Sequence, residues 1–107
     1  MTTFDKREEA FEKQFAMDEE LKFKALARRN RLLGLWAAAK LGLSGEAATA
    51  YSREIVAAEF EEGGDAAVIA KLMADLAAKG VAITEEEAQT QMGVFLLQAI
   101  AQVKAGM

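Results

Sequence analysis

A chain of 107 residues is the size of one ordinary domain, and 52% hydrophobic against 28% charged residues is enough apolar matter for a single core. Having neither cysteine nor histidine, it has no disulfide, no thiolate or imidazole metal site, and neither the thiol nucleophile nor the usual base of a hydrolase triad. A net charge of −4, from 13 basic and 17 acidic residues, argues against a general nucleic-acid or anionic-membrane binder, and the absence of proline favours helices throughout.

In chain order, the N-terminal segment comes first. Thr2 or Thr3 can cap a helix opening near Phe4, and Phe4, Phe11 and Phe15 then share one face at about 100° per residue. The surrounding residues are densely and evenly charged: residues 1–31 hold eight basic and seven acidic side chains, whereas 32–107 hold five and ten. The next apolar stripe runs through Leu21, Ala25, Arg28, Leu32, Leu35, Trp36 and Ala39. Projected at about 100° per residue it lies a quarter turn from the Phe stripe, so one straight helix does not place both against one core. The expected division is therefore a segment 1–18 ahead of a bundle 19–107.

Within the bundle, helix punctuation is legible. Leu41-Gly42-Leu43 reads as a glycine stop, and Ser44 as the cap of a second helix with Glu46 in its first turn and Tyr51, Ile55, Val56 and Phe60 inward. Gly63-Gly64 closes it, and Asp65 caps a third helix that buries Val68, Ile69, Leu72, Met73 and Leu76 and ends at Gly80. Thr84 with Glu87 forms a capping box for a fourth, whose inward residues are Ala88, Met92, Phe95, Leu96, Ala99 and Val103. Connections of two to five residues join antiparallel neighbours, so the fold class expected is all-α, a four-helix bundle. No apolar run approaches the roughly 20 residues that span a bilayer, and MTTFDKREEAF lacks a secretory signal's order, which places the chain in the cytoplasm without membrane insertion.

The inventory for catalysis is poor, with no phosphate-cradling glycine loop and no imidazole or thiol. The acidic clusters Glu61-Glu62-Asp65 and Glu85-Glu86-Glu87 sit at helix ends, where the dipole and the caps account for the second, so no metal and no cofactor is expected. Arg28, Arg29 and Arg31 are candidate contacts for a phosphate or nucleotide, with Trp36 nearby, although Trp36 falls on the apolar stripe and reads as core. For the Phe4, Phe11 and Phe15 stripe two readings stay open: it folds back to complete the core, or it is a helix-in-groove ligand flanked by charged rim contacts.

The stretches Phe4-Asp5-Lys6-Arg7-Glu8, Asp18-Glu19-Glu20-Leu21-Lys22-Phe23-Lys24-Ala25 and Ala27-Arg28-Arg29-Asn30-Arg31-Leu32-Leu33-Gly34-Leu35-Trp36-Ala37 resemble the zeta-subunit family, small inhibitor proteins of alpha-proteobacterial F-type ATP synthases. The resemblance covers the first 65 or so residues closely; the last helix matches only in apolar pattern. It implies a four-helix bundle whose segment 1–18 is mobile when free and becomes helical on entering the catalytic interface of the ATPase head, blocking rotation in the hydrolytic direction. The partner is then the head's alpha, beta and gamma subunits, met by a free chain that is monomeric and not itself an enzyme. The residues implied in contact are Phe4, Phe11 and Phe15 as anchors, with Asp5, Arg7, Glu8, Glu12 and Lys13 around them. A helical nucleotide- or phosphate-sensing module built on Arg28, Arg29 and Arg31 is the alternative.

Overall fold

The computed structural model describes residues 19–106, and these form an all-α bundle of four helices: α1 (Glu19–Lys40), α2 (Gly45–Ala58), α3 (Asp65–Ala78) and α4 (Glu85–Lys104). Among the described residues there is no strand, and no helix is long and apolar enough to cross a membrane. The long α1 is the organising element. It packs most extensively on α2 and α4 and also touches α3, which in turn contacts both of the others.

The helix ends follow local backbone chemistry. Gly42 takes a φ of 79°, which a side chain would resist, and lets Leu43 N–H reach back to the Ala38 carbonyl at 2.9 Å while Gly42 N–H bonds Ala39 at 3.2 Å. The same pair of bonds closes α3, from Gly80 to Ala77 and from Val81 to Leu76. Thr84 caps α4 by accepting from the Glu87 N–H at 3.0 Å. Three cap details differ from expectation. Ser44 occupies the cap position of α2 in extended backbone, but its hydroxyl makes no capping bond. The helix α2 stops at Ala58, before Phe60, so the two glycines precede α3, and Gly64, not Asp65, is its cap. The connections 59–64 and 79–84 are each a residue longer than the pattern predicts.

The main core gathers Leu33, Ala37, Tyr51, Ile55, Val68, Leu72 and Met92, and a smaller one unites Ala25 with Leu96 and Ile100. On α1 the buried set is Ala25, Arg29, Asn30, Leu33, Gly34, Ala37 and Ala38. That face is turned roughly 150° from the predicted stripe at about 100° per residue. Leu35 is exposed, Ala39 is exposed, and Trp36 is only half-buried, packed on the core margin with the Lys40 ammonium 5.0 Å from its ring. Small residues bring α1 close to α2: a Cβ at Gly34 would stand 2.7 Å from the Ser52 Cα, nearer than real contacts allow. The Phe4, Phe11 and Phe15 stripe and the segment 1–18 lie outside the described residues.

Candidate functional site

The first three turns of α1 carry side chains of one buried ionic network and one open groove. At their centre Arg29 is fully buried, a costly place for a guanidinium unless every donor is met. Its Nη2 donates to Asp65 Oδ1 at 2.7 Å and Glu59 Oε1 at 2.8 Å, its Nη1 to Asp65 Oδ2 at 3.3 Å, and its Nε to Asn30 Oδ1 at 2.9 Å. Asn30, buried beside it, returns an amide bond to Glu59 Oε1 at 3.0 Å. Burial is the main force pushing the Glu59 carboxyl above the usual carboxylate range, and the adjacent Asp65 adds to it, against the opposing pull of the Asn30 amide and the Arg29 guanidinium.

This network corrects one part of the arginine reading. Arg29 is not available to a phosphate, because its guanidinium is engaged by the chain's own carboxylates. Asp65 serves that pair rather than a cap, and Glu61 and Glu62 lie exposed. Among the described residues no three carboxylates converge into a cation site.

Arg28 and Arg31 behave differently. Together with Lys24 they line an open groove of about 450 Å³, whose remaining lining includes Leu21, Phe23, Ala27, Val56 and Val103. Lys24 is in turn 3.5 Å from Glu20, and Arg28 Nη1 donates to Gln102 Oε1 of α4 at 3.2 Å. So the structure separates the three arginines, one into the interior and two onto a mixed basic and apolar surface at the start of α1.

Beside the groove stands an aromatic pair, one member of which, Phe60, the apolar pattern placed wrongly. Phe60, expected inward, is 67% exposed, and it tilts against the 55% exposed Phe23 with ring centroids 5.6 Å apart. The signal that would have found both features is one of register. Arg29 is spaced by four from Ala25 and Leu33, so it shares their face, and a buried arginine calls for carboxylates elsewhere. The candidate partner residues Phe4, Asp5, Arg7, Glu8, Phe11, Glu12, Lys13 and Phe15 lie outside the described residues.

Nothing in this arrangement assembles a nucleophile with a base; it offers grooves and exposed rings, the means of binding. No curated protein matches the chain. A protein whose structure was determined by solution NMR is similar at 41% identity with a TM-score of 0.71, over 81% of this chain and 99% of that one. The sequence profile of the family described as ATPase inhibitor subunit zeta matches residues 1–102, nearly the whole length. The match takes in the segment before α1, the helices α1 to α3 and all but the last two residues of α4, and the chain belongs to the ATPase inhibitor subunit zeta family.

Proposed function

We propose that this chain inhibits ATP hydrolysis by the F-type ATP synthase, its residues 1–18 entering the alpha/beta catalytic interface of the head as a helix and blocking hydrolytic rotation. The observation that carries this reading is that the family match begins at residue 1 and runs through the bundle, so it takes in the aromatic-striped segment as well as the fold. Phe4, Phe11 and Phe15 are the buried anchors, while Asp5, Arg7, Glu8, Glu12 and Lys13 make oriented rim contacts, extending toward gamma. Closure of the cleft for hydrolysis traps the helix. Direction needs no catalytic group here, since the rotor's sense of turning decides whether the cleft tightens or expels it. The chain is then a regulatory subunit, not an enzyme, monomeric when free and held at the cytoplasmic face of the membrane through the synthase.

The test is ATP hydrolysis by the cognate catalytic head with the full chain, with Phe11→Ala/Phe15→Ala, and with a chain lacking residues 1–18. Inhibition by the full chain alone supports the reading; inhibition unchanged in both variants refutes the assignment of the anchors.

A second reading has its own observation, the convergence of Lys24, Arg28 and Arg31 on one groove. Three cations beside an apolar wall suit a nucleotide's phosphates and base. Titration with ATP, followed by amide chemical shifts, distinguishes it: perturbation centred on Arg28 and Arg31 supports a sensor, and none leaves the inhibitor reading alone.

A further inference from the structure

Phe23 and Phe60 belong to neither core cluster. One projects from the second turn of α1 and the other from the connection after α2, yet they meet each other in solvent. With Leu26, Ala27 and Val56 they wall a small cleft of about 90 Å³ that Asn30 and Glu59 also line. Single exposed apolar residues are ordinary, but two aromatic rings from separate elements converging on a cleft make a patch of the kind that anchors a partner.

The size of the patch decides what it fits. A phenylalanine presents roughly 200 Å² at most, so two rings at these exposures offer roughly 250 Å². A second copy of the chain would need about 800 Å² from each partner, so the patch does not hold a homodimer by itself. It suits an extension of a larger interface, and one adjoins it. Residues 1–18 lead directly into Glu19, and Phe23 follows one helical turn later, about 6 Å along the axis. Exposed Glu61 and Glu62 come immediately after Phe60 while Lys24 adjoins Phe23, so the complementary surface carries a basic group beside an apolar one on the Phe60 side.

Resting on the inhibitor reading above, we propose that Phe23 and Phe60 are a second foothold on the ATPase head, at the rim of the cleft that takes residues 1–18, and that they receive an aliphatic side chain flanked by a lysine or arginine of the head. Insertion of the segment brings the rings to the rim; the rings then slow its departure.

The experiment compares full-length wild type, Phe60→Ser and Phe23→Ser/Phe60→Ser as inhibitors of ATP hydrolysis by the cognate head, with circular dichroism as the check on folding. For the double variant the half-inhibitory concentration rises about tenfold, through faster release, while saturating inhibition stays complete because residues 1–18 are intact. Phe60→Ser, beyond the end of α2, shows a smaller rise of the same kind and carries the test alone if the double variant does not fold. An unchanged half-inhibitory concentration overturns the foothold. So does stronger inhibition by the variant, which would mean that the rings hold residues 1–18 back in the free chain, or a wild-type dimer in sedimentation that the variant dissociates. A wild type that does not inhibit overturns the underlying reading as well, and is recognised because it is measured first.

Discussion

The two halves of α1 are built to opposite specifications. From Leu33 to Ala38 the buried face is Leu, Gly, Ala and Ala, pressed so closely on α2 that the Ser52 Cα occupies the space a Gly34 side chain would need. From Phe23 to Asn30 the same helix buries an arginine and an amide and leaves an aromatic ring and two cations at the surface. Close apolar packing gives a single arrangement, because any shift creates voids or clashes. Ionic and hydrogen-bonded contacts have fixed geometry but small net stabilisation, so the N-terminal half is specified more than it is strengthened. One half of the helix is thus locked, and the other half presents an aromatic ring and two cations at the surface.

The largest way to break this contrast is at Arg29. Replacing it with methionine leaves the half-buried Glu59 and the buried Asp65 without their cation, and the expected loss is about 3 kcal/mol in urea unfolding. A loss under about 1 kcal/mol would mean that removing the cation strands neither acid and that the two halves do not differ as described. In the other half, Gly34→Ala drives a methyl group into the Ser52 backbone and costs about 2 kcal/mol, read from the same curves. A neutral result there would show α1 and α2 free to separate.

The smallest effect sharpens the comparison through pH. The Glu59 carboxyl is raised in the folded chain, so its contribution to stability is fully present below the ordinary value of 4.5 and is lost as pH rises through the folded value. Glu59→Gln copies the protonated form and retains an oxygen that accepts from Arg29 and Asn30. Thermal midpoints of the variant therefore change less than those of the wild type between pH 5 and neutrality, with the variant equal to or above wild type at the neutral end. A variant that melts lower at neutral pH than wild type would show the Glu59 charge to be the favourable partner there.

Legibility in the sequence divided along similar lines. Gly42, Gly80 and Thr84 were readable because helix termination and capping depend on a few adjacent residues. The buried face of α1 was not, because hydrophobic counting gives Ala and Gly little weight and sets Arg29 and Asn30 against burial, while Leu35 and Trp36 attract the stripe outward. Phe60 was misplaced for a related reason, since α2 ends at Ala58 and the helical projection stops applying two residues earlier. Of the candidate site, the arginine cluster was visible as charge, but only tertiary structure could sort Arg29 from Arg28 and Arg31. The carboxylates that hold Arg29 lie 30 and 36 positions away in sequence, beyond the reach of any local pattern.

That trio also constrains how the protein can change over time. Arg29 answers two carboxylates, Glu59 at the start of the 59–64 connection and Asp65 just past its end, so losing the arginine strands both acids. Drift has no neutral single step at Arg29, whereas Glu59 can give up its charge to a glutamine. Lineages that abandon the arrangement must exchange several members in concert, and those that keep it are free to vary the connection between the two acids.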